Sequence, residues 1–376
     1  MTKISLVKCD DYSKADNAVR EAVNLIGGVS VFVRPSERIL IKPNLLSPKD
    51  PSKAVTTHPE IVRAVIRLVK EVGAVPLVGD SPGGAIRDIK NLWKVTLMEK
   101  ICVEENVKLV NFEAAGSKEF DIGDKNIKKV NFSNAVLDCD GIVNLPKLKT
   151  HMLMSFSAGV KNLYGCVPGL MKVEYHKYAS KNKEFADFLS KIYLFFKDKI
   201  RFTLVDGILS MEGNGPSAGD IRKTNLIAAS SDAAILDAYL LNELNYNISD
   251  SDLLKNLKIT KDIFNKIELA GEPSKNFNFK NFRFPNLRKL DLLPRFIVRI
   301  LGKLLWMKVD INKKMCVKCM LCIRACPIGA IRHKSNAHPY VYAKKCISCF
   351  CCHEMCPSKA VGFKKSILAK IFIKDS

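Results

Sequence analysis

Residues 39–79 read ILIKPNLLSPKDPSKAVTTHPEIVRAVIRLVKEVGAVPLVG, and the pattern of apolar residues changes period twice along them. Ile39-Leu40-Ile41 is a short apolar run that stops at Lys42-Pro43-Asn44, where proline ends a strand. Thr57-His58-Pro59-Glu60 then opens a helical pattern through Ile61, Val65, Leu68, Val69 and Val72, closed by Gly73. Thr57-x-x-Glu60 reads as a capping box; it leaves His58 in the first turn, where free N–H groups would also aim it at an anion. Leu77-Val78-Gly79 is the next strand. Outward from this unit the alternation continues: a helix from about Arg87, strands at 108–110, 141–145, 202–205 and 225–229, and a helix at 232–244. Strands that alternate with helices and are apolar on both faces predict an α/β body, with a parallel or mixed sheet covered by helices.

The chain has 376 residues, 47% of them apolar and 8% aromatic, enough to bury a sizeable core. The length suggests about two or three domains at roughly 100–200 residues each. No stretch reaches the ~18 uncharged apolar residues of a membrane helix. With 60 Lys and Arg against 38 Asp and Glu the net charge is +22. Lys, Asn and Ile are abundant throughout, as an AT-rich genome would make them, so charge alone selects no partner.

Nine of the 13 cysteines fall between Cys316 and Cys356. The N-terminal stretch has no apolar signal core, and a secreted disulfide protein would not crowd its cysteines so; the expectation is a reducing cytoplasm and a metal site. Cys316-x-x-Cys319-x-x-Cys322-x-x-x-Cys326-Pro327 is followed by Cys346-x-x-Cys349-x-x-Cys352-x-x-x-Cys356-Pro357, two copies of the C-x2-C-x2-C-x3-C-P run that holds [4Fe–4S] clusters. Three closely spaced thiolates wrap one cube, and the fourth turns toward the other. Cys316, Cys319, Cys322 and Cys356 are therefore assigned to one cluster, and Cys346, Cys349, Cys352 and Cys326 to the second. Structural zinc would need C-x2–4-C pairs instead. Cys351 breaks the spacing and reads as a bystander thiol, or as a substitute ligand after damage to Cys352. Residues 309–365 resemble the two-cluster bacterial ferredoxin domain, a small α+β unit.

The expected organisation is an α/β domain over 1–272, a basic amphipathic linker over 273–308, the ferredoxin-like domain over 309–365 and a basic tail over 366–376. Within the linker, Arg295, Arg299 and Lys303 recur every four residues on one helical face. That face fits a helix packed between the domains, and it also leaves open peripheral contact with an anionic membrane. Pro294 and Gly302 weaken the helix and favour the first reading.

Several polar groups fall just after predicted strands, where open α/β sheets bind ligands. They are Lys42 and Asn44; Asp80; Lys147, Lys149 and His151; and Asp206, with Lys161 and Asn162 between. Lys147, Lys149 and Lys161 would clamp an anion. His151 or His58, with Lys147, would handle a proton, and Asp80 and Asp206 would hold a metal or orient those bases. Neither Gly83-Gly84 nor the glycines at 213–219 form a dinucleotide or P-loop motif, so flavin, nicotinamide and nucleotide have no motif support. Ile41-Lys42-Pro43-Asn44-Leu45, Thr57-His58-Pro59, Gly79-Asp80-Ser81-Pro82-Gly83, residues 144–151 (NLPKLKTH) and Gly159-Val160-Lys161-Asn162 together resemble the large family called domain of unknown function 362, over roughly residues 1–270. The resemblance implies its fold, and often a C-terminal two-cluster ferredoxin domain, but no substrate.

The function expected is an iron–sulfur oxidoreductase of an anaerobic cytoplasm, passing electrons through two [4Fe–4S] clusters to a small anionic substrate. The alternative is a ferredoxin-type carrier whose large domain docks a partner enzyme. Either needs an electron donor or acceptor protein. Nucleic acid ranks last, because aromatics are not interleaved with Lys and Arg on the body.

Overall fold

In the computed structural model, residues 1–285 and 307–366 are described. Most of the amphipathic linker, with Arg295, Arg299 and Lys303, and the tail beyond Ser366 lie outside the described residues.

Apolar residues set the period of each element. In chain order the body's strands are β1 (Thr2–Lys8), β2 (Arg38–Pro43), β3 (Val75–Gly79), β4 (Lys108–Val110), a hairpin of β5 (Ser117–Phe120) and β6 (Val130–Ser133), β7 (Gly141–Leu145), β8 (Lys147–His151), β9 (Ser155–Ser157), β10 (Ile200–Glu212), β11 (Asp220–Ser230) and β12 (Ile267–Gly271). Ten of them form one mixed sheet in the order β12-β1-β11-β10-β7-β2-β3-β4, with β8 attached to β10 and β9 to β8. The run β10-β7-β2-β3-β4 is parallel throughout.

Alternate residues of one strand enter different cores, as a two-residue period requires. Ile39 and Ile41 join the core with Val62, Val65 and Val69 of the helix Pro59–Glu71, whereas Leu40 packs with Phe185 and Phe188 of the helix Asn182–Phe196. Each such buried side chain contributes about 1.5–3 kcal/mol. The N-cap of Pro59–Glu71 differs from the expected capping box. His58 is the cap, and its Nδ1 accepts from the Glu60 N–H at 3.3 Å. Thr57 Oγ1 instead donates to Leu145 O and accepts from the Asn44 N–H, joining the ends of β2 and β7.

Strand β10 runs far beyond the expected 202–205. Its first half pairs with β7 (Phe202 opposite Val143) and its second half with β8 (Asp206 opposite Lys147). Pro146 separates β7 from β8, and its carbonyl accepts the Asp206 N–H at 2.9 Å. A proline that cannot extend the ladder thus turns the chain there, and β8 leaves the line of β7 toward the C-terminal edge of the parallel strands.

The C-terminal unit is built from β13 (Met307–Ile311), β14 (Ile331–Arg332), β15 (Tyr340–Val341) and β16 (Val361–Lys365), with antiparallel pairs β13–β16 and β14–β15. Its two helical turns, Leu321–Arg324 and Cys351–Glu354, occupy equivalent places in an internal repeat. Lys318 and Met320 before the first turn have φ of 54° and 59°; Ser348 and Phe350 before the second have 54° and 63°. This unit docks at the strand ends of the body. Lys49 Nζ donates to Pro357 O at 2.8 Å, Ser217 Oγ to Glu354 O at 2.7 Å and Lys359 Nζ to Gly219 O at 3.2 Å. Met355 fills the space that a side chain at Gly83 would need.

Candidate functional site

The sequence-selected polar residues separate into two groups. Lys147, Asp206 and His58 form a closed network with Tyr12. Lys147 Nζ lies 2.9 Å from Asp206 Oδ2 and donates to the Tyr12 hydroxyl at 2.8 Å; that hydroxyl donates to Asp206 Oδ1 at 3.0 Å. The His58 N–H donates to the same carboxylate, and its ring stacks on Tyr12 with centroids 3.5 Å apart. The free N–H groups expected to hold an outside anion at His58 thus meet an internal one, Asp206. Burial lowers the Lys147 pKa against the pull of Asp206, and burial brings His58 down to about 4.

The second group lines a cleft between the body and the C-terminal unit. Asn44, Asp80, Lys149, Lys161 and Asn162 reach it from the expected set, joined by Ser81, Lys172 and His176. The facing wall is Ala325, Cys351, Glu354 and Met355. Beside the cleft, Lys42 Nζ pairs with Asp80 Oδ1 at 2.6 Å, both side chains buried, and the Leu45 N–H holds the other oxygen of Asp80 at 2.8 Å. Gly165 passes so close to this pair that a Cβ would collide with both partners.

The lysines differ in how well they are satisfied. Lys149 Nζ donates to Asn44 Oδ1 and to Val55 O at 2.7 Å, and Lys172 Nζ to the Ser81 carbonyl and hydroxyl at 2.6 and 2.7 Å. The Lys161 side chain makes no hydrogen bond or ion pair among the described residues. Burial lowers all three, Lys149 furthest and Lys172 to about 8; Lys161 further depresses Lys149, whereas Glu354 and Cys351 support Lys161. Two buried polar atoms here lack partners among the described residues, His176 Nδ1 and Asn162 Oδ1. Lys161, whose nearby counter-charge is a Glu354 carboxylate already facing His151, lies beside these unpaired polar atoms, an arrangement that suits a small anion that also offers a donor.

His151 stands behind the cleft. Its Nδ1 accepts the Leu153 and Met154 N–H groups at 3.1 and 3.2 Å, so the proton resides on Nε2, 3.0 Å from Glu354 Oε1 but not well aligned with it. Burial pulls His151 to about 4, and burial does the same to His176. Burial would raise Glu354, yet His151 and Lys161 beside it hold it at about 2. Both imidazoles are neutral at pH 7, and Glu354 is ionised.

The eight expected cysteines fall into two sets of four. Cys326, Cys346, Cys349 and Cys352 line one cavity, and Cys316, Cys319, Cys322 and Cys356 line another. Each set takes its fourth thiol from the other repeat. The left-handed residues before each turn curl the backbone inward, and the Ala330 and Ala360 N–H groups donate to the sulfurs of Cys326 and Cys356 at 3.1 and 3.2 Å. Among the described residues no three His, Cys, Asp or Glu converge as a single metal ion requires. Thiols that ring a cavity and receive N–H bonds suit a cluster. Cys351, which the spacing left as a bystander, points away from both cavities into the cleft wall.

Lys172 and His176 were missed in the sequence. They stand four apart in the helix Met171–Tyr178 and so share a face, but that helix is only weakly amphipathic and its polar face looks solvated from sequence alone. Glu354 had a signal: it is the lone acid between Cys316 and Cys356.

Fold and site together define an α/β protein with an iron–sulfur electron-transfer unit seated on the ends of its parallel strands. The family described as Domain of unknown function (DUF362) matches residues 39–242, and a 4Fe-4S binding domain matches residues 309–332. The chain belongs to this DUF362 family. It is 35% identical over 239 residues to the thylakoid-associated protein sll1697 of Synechocystis sp. (strain ATCC 27184 / PCC 6803 / Kazusa), covering 62% of this chain and 72% of that one. The lactate racemase apoprotein from Thermoanaerobacterium thermosaccharolyticum aligns with a TM-score of 0.40 at 15% identity, over 63% of this chain and 55% of that chain. Among the described residues no helix is long and apolar enough to cross a membrane.

Proposed function

We propose that this protein is an oxidoreductase that takes electrons one at a time across two [4Fe–4S] clusters and delivers them to a small anion in the cleft. The observation that carries the reading is the shared wall: the turn Cys351–Glu354, set between cluster-cavity thiols, faces the lysines of the body. Two such centres supply, when bound, the pair of electrons that an organic reduction needs, without a flavin.

The chain's own residues supply binding and protons. Lys161 is the primary anion contact and Lys149 the second. Asn162 Oδ1 and His176 Nδ1 accept from a donor on the substrate. Lys172, with a pKa of about 8, holds a proton at neutral pH and can release it to a developing anion. His151 orients Glu354, and the network of Lys147, His58 and Asp206 braces β8 from below. Asp80 fixes Lys42 and the Leu45 loop. The thiol-rich C-terminal unit suits a reducing, anaerobic cytoplasm.

The test is anaerobic. Protein with intact clusters is reduced stoichiometrically, and its visible absorbance is followed while fractionated small metabolites of the host are added. Reoxidation by one fraction, lost in Lys161→Ala with iron content unchanged, is the expected result. Reoxidation only by a protein fraction would sink it in favour of the electron-carrier reading.

A further inference from the structure

The two cysteine cavities meet different surroundings. One abuts the cleft wall. At the other, Cys319 is exposed, and the loop carrying it also exposes Val317 (64%) and Met315 (45%). Lys313, Lys314 and Lys318 are exposed around this apolar pair. Lys318 Nζ donates to Asn336 O at 2.9 Å, which brings the loop of exposed Lys334 alongside. Residues 307–366 contain twelve Lys and Arg against two acids, Asp310 and Glu354, and Glu354 is turned inward to His151. Two clusters contributing about −2 each leave the excess positive.

We propose that the face around Cys319 is the docking site of the electron donor, and that the donor is an acidic protein carrying a one-electron iron–sulfur or flavin centre. This rests on the electron-transfer reading above and adds to it the point of entry. An apolar centre inside a charged rim is the anatomy of a protein interface, and the lysine rim steers a partner of opposite sign. Val317 and Met315 offer nothing to a phosphate backbone, and two apolar side chains on one loop bury too little area to anchor at a lipid acyl boundary, which is why a protein is favoured. At each encounter the donor is oxidised by one electron and this protein is reduced by one. No bond forms or breaks, and two encounters load the pair used at the cleft.

The test uses the anaerobic holoprotein and, as probe, a small acidic bacterial two-cluster ferredoxin. Binding is read by fluorescence anisotropy, independently of turnover. Affinity for wild type should fall at least tenfold between 50 and 300 mM NaCl. The triple variant Lys313→Glu/Lys314→Glu/Lys318→Glu should lose at least tenfold at 50 mM, with Lys→Arg at the same positions retaining wild-type affinity and iron content reporting folding. Salt-independent binding, or an unaffected triple variant, overturns the proposal; so does absence of ferredoxin binding while the same lysines drive binding to anionic vesicles or single-stranded DNA. Protein reduced photochemically with 5-deazaflavin bypasses docking, so a failure at this face stays separate from a failure of the cleft.

Discussion

Lys42 is buried and Lys161 half-buried beside one cleft, and their partners give them opposite roles. Lys42 is matched by Asp80 at 2.6 Å, so removing one partner strands a buried charge. Asp80→Ala should destabilise the protein by about 3–5 kcal/mol in urea unfolding. Lys161 has nothing comparable to lose, and Lys161→Ala should leave the urea midpoint nearly unchanged. Its loss should instead weaken anion binding about 10- to 100-fold by calorimetry, the equivalent of one charged hydrogen bond of about 1.5–3 kcal/mol. The pH dependence follows from burial. An anion binds the charged lysines and raises their pKa, so binding takes up protons. The part of the affinity that Lys172 supplies should be present well below about 8 and be lost as pH rises through it. Affinity independent of pH between 6.5 and 9.5 would remove Lys172 from the site.

At the scale of elements, β8 distributes the chemistry. Lys147, Lys149 and His151 share one face at intervals of about 6.6 Å, so one strand serves the Tyr12 network, the cleft and Glu354 in turn. The sequence placed all three just past the strand 141–145 but showed neither that they form a strand of their own nor their separate partners, because those come from β10, the Asn44 loop and the C-terminal unit. The strands β4 and β7 lie at their expected limits, since each is a short apolar run closed by polar residues. The extension of β10 was hidden because residues 206–212 look like a loop until β8 and β11 flank them. Asp237 shows the same limit. From the helix Ala233–Glu243 it accepts the Gly159 and Val160 N–H groups at 2.7 and 2.9 Å and so positions the turn bearing Lys161. Nothing in local sequence links residues 237 and 159. His176 gives this scale a stability test. Its folded value of about 4 lies below the ordinary 6.5, so the fold favours the neutral ring. That contribution is full above about pH 6.5 and is lost as pH falls toward 4. Urea midpoints of the anaerobic protein should drop across that window, and His176→Phe, stacked on Phe185 as the imidazole is, should flatten part of the drop.

For the whole molecule, the cysteine spacing grouped the thiols that line each of the two cavities, whereas the seat of their unit on the body was not legible. The crossed sets make a specific prediction. Cys326→Ser should impair the cluster held by the 346–352 loop and spare the one held by its own loop. Iron should fall by about half, and EPR of the reduced protein should lose the interaction between two nearby spins; complete retention of both signals would refute the crossing. The docked arrangement has a thermodynamic consequence. Because the turn Cys351–Glu354 belongs at once to the cluster unit and to the cleft, coupling across it is reciprocal: whatever free energy bound clusters add to anion affinity, a bound anion adds to the hold on the clusters. Substrate should therefore act as a guard for the iron: with the anion bound, release to a chelator and bleaching by air should both slow, and a cell short of substrate would carry the more fragile form of the protein.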